Sequence, residues 1–372
     1  MPDLFFYGTL QHVPLLELVL GRKAEDLQLS RVELADHSVY AVQDQIFPMI
    51  QAEPGGTAHG LLAQGLSDND VARLAFYEGG FEYDLQRRTV TRADGTTATA
   101  QVFFPAPGTW QPGGPWSLGD WVDNWGPVTL LAAEEEMAYF GRVEAATIAR
   151  YAPATLMRAW AKLAAQARKT GDSRDVAEDV IVHRRNRAYF DYFGVDEIEL
   201  QHRKYDGTMG PVLKRSALMQ GSAVIILPYD PLRDSVLLVE QFRAPPFLIG
   251  DPEPWIWETV AGMIDPGETP EQAAHRECME EAGLTLNALH YAGGAYSSTG
   301  SSTEFVHLYI GLADLTETIS GGGLDTEGED IRSRILPFDT FKQMLDSHGF
   351  KNLQLLAAAH WLIRNRDRLR GS

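Results

Sequence analysis

Cysteine is almost missing from this chain. Its 372 residues contain one, Cys278, so no internal disulfide can form and the composition suits a reducing, cytoplasmic setting. Long apolar runs are missing too. No stretch approaches the roughly 18 residues needed to cross a bilayer, and no membrane association is expected. The opening segment MPDLFFYGTL carries an acidic residue where a signal peptide needs basic ones, and no cleavage-like site follows. Positive charge is in deficit: 32 Lys and Arg stand against 51 Asp and Glu, a net charge of −19. Such a field does not attract nucleic acid or anionic membranes, so neither is expected as a partner. An anionic small substrate would need metal ions or local arginines to offset that field. Internal repeats and low-complexity tracts are also lacking.

What is present is ordinary for a globular protein: 44% apolar and 22% charged residues. The length predicts two domains, or three if they are small, and the pattern predicts an α+β chain divided as 1–130, a helical segment and linker over 131–178, and 179–372. LFFYGTL (4–10) reads as a buried strand running into a glycine turn. SRVELADHSVYAV, GTAHGLLAQGL and TATAQVFFP read as strands, with SDNDVARLAFYE as a capped helix among them. PAPGTWQPGGPWSLGDW reads as a loop. The following residues, from EEEMAYF to AAQARK, have helical period with an expected interruption near Pro153, and KTGDSRD (169–175) is the linker candidate. A second β-rich segment starts near Val180. SAVIILPYD and DSVLLVEQFR form an expected hairpin, and FKNLQLLAAAHWLIRNRDRL holds a final amphipathic helix.

The stretch GMIDPGETPEQAAHRECMEEAGL (262–284) carries the chemistry. Thr269, Pro270 and Gln272 form an N-cap, a first-turn proline and a capping-box partner, and Gly283 ends the helix, which predicts a helix over 270–282. Ala274, Cys278 and Ala282 make a small-residue stripe able to pack on a sheet. Glu277, Glu280 and Glu281 share a neighbouring face because positions three and four apart meet on a helix. Like charges so close repel, so a cation is expected among them. Hard carboxylate oxygens suit Mg²⁺, with Mn²⁺ as the alternative. A merely solvated acidic face is the competing reading.

Gly262, Glu268, Arg276, Glu277, Cys278, Glu280, Glu281, Gly283 and Leu284 fill every position of the Nudix box, and this half of the chain resembles the Nudix hydrolases, whose domain is an α/β/α sandwich. The flanking RSALMQGSAVIILPYDPLRDSVLLVEQFRAPP, WIWETVAGMIDPGE, SSTGSSTE and EGEDIR resemble the ADP-ribose pyrophosphatase branch, including tellurite-resistance-associated proteins. The resemblance implies metal-dependent hydrolysis of ADP-ribose, or a related nucleoside diphosphate sugar, to AMP and ribose 5-phosphate, commonly by a homodimer. It implies that Arg215 and Arg243 contact substrate, and guanidinium groups suit phosphate and also stack on adenine. It implies metal ligation by the Ala261 carbonyl, Glu277 and Glu281, with Glu280 and Glu304 as further metal or substrate candidates. Arg276 and Glu268 would orient those ligands. In this branch the base that activates water sits on a loop after the box. Glu327 in GGGLDTEGEDIR aligns with it, and Glu329 and Glu280 are further catalytic candidates. The branch often carries Ser-Pro-Gly where this chain has Ser298-Thr299-Gly300, which leaves the sugar-nucleotide preference open.

The first half resembles γ-glutamylcyclotransferase-like (AIG2-like) domains through FFYGTLQ and the later IFPMIQ and HGLLAQGL. That resemblance implies a small β-barrel with helices. Its loop Tyr7, Gly8, Thr9 and Leu10 would hold a γ-glutamyl group, and Glu78 would be the acid/base that yields 5-oxoproline. A non-catalytic sensor that binds a nucleotide sugar is the third reading.

Overall fold

The computed structural model describes residues 3–78, 83–168, 174–316, 322–323 and 328–371. The chain divides into two compact units, Met1–Lys169 and Thr170–Ser372. Among the described residues no helix is long and apolar enough to cross a membrane.

In the first unit, β1 (Leu4–Phe6) leads through a short 3-10 turn to α1 (Val13–Leu20). The long hairpin strands β2 (Gln28–Val42) and β3 (Pro48–Gln64) follow, then α2 (Asp68–Glu78), β4 (Tyr83–Arg92) and β5 (Thr97–Pro105). The order β3-β1-β5-β4-β2 closes on itself because β2 also pairs with β3, so five strands form a barrel. Closure leaves those five strands no open edge. β1 runs parallel to β5 and antiparallel to β3. Phe5, Tyr7, Val32, Leu34, Ile50, Leu62, Val90 and Val102 fill the interior. Gly60 makes that filling possible: a Cβ there would lie 2.4 Å from the Phe5 ring.

The stretch read as a Pro-Gly-Trp loop is more ordered than its composition predicted. It contains β6 (Pro112–Pro115), paired to β2, and the start of α3 (Leu118–Asn124), capped by the Ser117 side chain. The interruption expected near Pro153 is also corrected. α4 (Gly126–Met137) and α5 (Ala145–Gln166) are separated at 138–144, where Gly141 takes a φ of 74°, and Pro153 lies inside α5. An internal proline removes one helical hydrogen bond. Packing of α5 through Ala159 against Val128 and Ala132 of α4 holds the helix across it.

In the second unit, the short α6 (Val176–Asp179) precedes an antiparallel three-stranded sheet of β7 (Val180–Phe190), β8 (Gly194–His202) and β9 (Leu213–Met219). The expected hairpin is present as β10 (Ala223–Asp230) and β11 (Ser235–Phe242), joined at Tyr229↔Val236 and Asp230↔Ser235. α7 (Ala244–Leu248) comes next, and then the stretch WIWETVAGM, which changes neighbours midway. Its first part, β12 (Trp255–Glu258), pairs with β11, and its second, β13 (Val260–Met263), pairs with β10. The change occurs at Thr259, which is buried.

α8 (Pro270–Ala282), β14 (Ala288–Tyr296), β15 (Phe305–Leu312), β16 (Arg332–Pro337), α9 (Phe338–Asp346) and α10 (Leu353–Arg370) complete the unit. Leu227 and Tyr229 of β10 join a core with Phe341, Leu355, Ala358 and Leu362 of α9 and α10. Strand alternation turns Ile226 to the other face, where it and Leu286, just after α8, both border Gly311. The mixed sheet is therefore sandwiched between helices, and the whole chain is α+β.

Candidate active site

The sequence specifies α8 at both ends, and the structure places them accordingly. Thr269 Oγ1 accepts from the Gln272 N–H (3.2 Å), and the Gln272 side chain accepts from the Thr269 N–H (2.8 Å). Gly283 closes the helix with φ 60°. Ala273, Ala274, Cys278 and Ala282 are buried, and so are Glu277 and Glu281 on the adjoining face.

Arg276 organises the acidic residues. Its Nε and Nη2 each donate to Glu268 at 2.9 Å, and its Nη1 donates to Glu277 at 2.7 Å and Glu280 at 3.0 Å. Nη2 also reaches the Met263 carbonyl (2.9 Å), which ties the helix to β13. The Arg276 bond holds the Glu268 carboxyl below its usual range. Gly262 explains how Glu277 lies so close to the strand. A Cβ at that position would fall 1.9 Å from Glu277 Oε1, closer than any side chain tolerates.

Glu281 is the exception in this network. It is 3% exposed, and no ion pair reaches it among the described residues. The Ala261 N–H donates to its Oε2 at 3.1 Å. Burial, with Glu277 and Glu329 adding like charge, pushes its pKa up to about 8 against the opposing Ala261 bond and Arg243 charge. A carboxylate in that state gains most from a nearby cation. Among the described residues no three acidic, His or Cys side chains are placed to hold a metal ion; Glu268, Glu277 and Glu280 are bonded to Arg276 instead. The donor set is nonetheless all oxygen, and the under-compensated Glu281 fits a hard divalent cation.

After β15, Gly322 pairs with Ile331, and the Gly323 N–H donates to the Glu280 carbonyl at the end of α8 (3.2 Å). A side chain at Gly322 would meet the Glu281 carbonyl oxygen at 1.9 Å, so only glycine fits at that position. Glu329 is thereby brought within electrostatic range of Glu281. Glu327, the base expected from the sequence, lies outside the described residues.

Arg243 stands at the start of α7, where its Nε and Nη2 donate to Glu258 Oε2 at 2.9 and 2.6 Å. Arg215 is placed elsewhere: it is exposed on β9 of the three-stranded sheet, and its Nη1 donates to the Lys214 carbonyl at 2.8 Å. Glu304 precedes β15, where its N–H donates to Ser302 Oγ at 3.1 Å and its carbonyl accepts from Ser297 at 3.1 Å. Glu258 was not singled out in the sequence. It lies in WIWETVAG beside Ala261, but its contact with Arg243 spans 15 residues and a change of strand.

In the first unit, Tyr7 and Leu10 are buried at the end of β1, with Gly8 and Thr9 between them. Gln11 braces this turn. Its Nε2 donates to the Tyr7 carbonyl (2.8 Å), and its Oε1 accepts from Arg31 (3.0 Å). Glu78 ends α2, and desolvation pushes its pKa up to about 7.

Comparison with known proteins agrees with this geometry. Residues 219–357 match the NUDIX domain model, and residues 4–123 match the model of Gamma-glutamyl cyclotransferase, AIG2-like. The chain is 33% identical over 184 residues to an ADP-ribose pyrophosphatase of Escherichia coli (strain K12), covering 50% of this chain and 88% of that protein. A Haemophilus influenzae ADP-ribose pyrophosphatase is 32% identical over 202 residues, covering 52% of this chain and 91% of its own. A GDP-mannose pyrophosphatase of Klebsiella pneumoniae is 33% identical over 162 residues, covering 42% and 80%. A complete box on a capped helix, Gly262 yielding space to Glu277, and relatives matched over most of their length place this chain in the Nudix hydrolase family, with an AIG2-like γ-glutamyl cyclotransferase domain as its first unit.

Proposed function

We propose that the second unit hydrolyses the pyrophosphate bond of ADP-ribose, or of a closely related nucleoside diphosphate sugar, to AMP and ribose 5-phosphate. The observation that carries this reading is Glu281, a buried carboxylate bonded to the Ala261 N–H, with the charges of Glu277, Glu329 and Arg243 within electrostatic range. Relatives named for ADP-ribose and GDP-mannose both hydrolyse a sugar nucleotide by name, which supports the substrate class.

Glu277, Glu281, Glu280 and the Ala261 carbonyl would hold Mg²⁺ or Mn²⁺, which when bound neutralises phosphate oxygens and eases attack by water. Arg243 would grip a phosphate or stack on the base, Glu258 fixing its direction. Arg276 and Glu268 keep the ligand carboxylates in register. Glu327 is the proposed base that takes the proton from water, and Glu329 is its neighbour in the same loop. Arg215 and Glu304 are proposed as substrate contacts, and Arg215 would need to act from the three-stranded sheet. A homodimer in the cytoplasm is proposed, and exposed Ile181, Val182 and Tyr189 on that sheet are consistent with a covered face.

The test is direct. Purified protein is incubated with ADP-ribose, GDP-mannose and other nucleotide sugars with Mg²⁺ or Mn²⁺, and nucleoside monophosphate is measured. Absence of product from every substrate would leave the nucleotide-sugar sensor as the better reading.

A second activity has its own support. The Tyr7–Leu10 turn and Glu78, the latter raised to about 7, suit a cyclotransfer in which Glu78 takes a proton from the attacking amine and returns it to the leaving group. Release of 5-oxoproline from γ-glutamyl dipeptides measures it.

A further inference from the structure

The connection from β11 to β12, residues 243–254, begins with Arg243 and closes on itself through the Arg243 N–H and the Pro254 carbonyl (2.9 Å). Two consecutive residues just ahead of α10 hold this connection at both ends. Asn352 caps α10 with its Oδ1, which accepts from the Leu355 N–H at 2.8 Å. Its other amide atom, Nδ2, donates to Glu258 Oε1 at 3.0 Å. Glu258 uses its second oxygen, Oε2, for Arg243. Lys351 Nζ reaches the far end of the connection, at Asp251 Oδ1 (2.9 Å) and Glu253 Oε2 (3.2 Å). Asp251 in turn accepts from the Glu253 N–H at 2.9 Å, so the stretch just before Pro254 is folded around the atom that Lys351 grips.

The geometry points to Asn352 and Lys351 as positioning residues that aim Arg243 at the bound substrate, an inference that rests on the hydrolase reading above. A guanidinium bound to one carboxylate oxygen can still pivot about that oxygen. Asn352 removes the pivot by fixing Glu258 from its other side, where Glu258 is 7% exposed and has little water to replace the bond. Lys351 then pins the stretch beside the bond that closes the connection, so that Arg243 keeps its backbone partner Pro254. Neither residue touches the acidic cluster of α8, so their effect reaches the site through Arg243.

Asn352→Ser tests this because serine keeps the helix cap but lacks the donor that reaches Glu258. The expected result is a KM for ADP-ribose raised about tenfold with kcat changed less than about twofold, the pattern of lost substrate binding. In an Arg243→Ala background the same substitution should add nothing, because both act through one group. Lys351→Met should raise KM about threefold and speed hydrogen exchange of the amides at 247–253 while leaving α8 unchanged. An Asn352→Ser protein that melts as wild type and keeps its KM would overturn the inference. So would an equal KM rise with and without Arg243, or faster exchange in Lys351→Met without any KM change. Wild type that turns over no nucleotide sugar would instead overturn the hydrolase reading itself, and this inference with it.

Discussion

Each unit raises the pKa of one glutamate, to about 7 for the half-buried Glu78 and about 8 for the buried Glu281, but for different reasons. Glu78 is raised by loss of water. Glu281 is also raised by the neighbouring charges of Glu277 and Glu329 and is partly relieved by the Ala261 N–H. The first environment suits a group that gives and takes a proton near neutrality. The second suits a group waiting for a cation, because added positive charge cancels the repulsion that the fold has assembled. Similar raised carboxyls therefore point to different chemistry.

The largest expected effect separates the units outright. Glu281→Gln should lower kcat for ADP-ribose on the order of a thousandfold and leave 5-oxoproline release unchanged, both measured on the same preparation. Glu78→Gln should do the reverse, lowering cyclotransfer on the order of a hundredfold. Its wild-type rate should rise as pH passes about 7, where Glu78 becomes the base. The stability sign is also fixed. A carboxyl with a raised folded pKa favours folding at low pH, so wild type should lose stability relative to Glu78→Gln as pH rises from the ordinary carboxyl range through about 7, read by urea unfolding.

A smaller effect concerns binding alone. Protons compete with the cation at Glu281, so apparent Mg²⁺ affinity should fall up to about tenfold per pH unit below about 8, whereas cyclotransfer should not respond to chelators. The smallest expected effect is on stability. Arg276→Ala leaves the buried Glu277 and the half-buried Glu268 and Glu280 without their shared guanidinium and should cost about 2 kcal/mol of unfolding free energy. Divalent metal should restore part of that loss.

Local signals made much of the site legible. The caps of α8, its small-residue stripe and the barrel strands followed from residue type and spacing, because each depends on neighbours a few residues away. Pro153 was misread for the converse reason: contacts between α4 and α5 outweigh a local penalty that the sequence shows plainly. The Pro112–Pro115 strand was missed because its pairing to β2 comes from a distant segment. The clamp on Arg243 was also out of reach, since Asn352 and Glu258 are 94 residues apart. Asn352 was not singled out in the sequence.

Thr259, where the strand passes from β11 to β10, has a consequence for how this protein can vary. Glu258 on one side answers to Arg243, and Ala261 on the other answers to Glu281, so the tally of residues between them acts as a ruler. Side chains along that ruler can be exchanged, but inserting or deleting a single residue would turn every later side chain of the strand to the opposite face and pull the arginine and the acidic helix out of step.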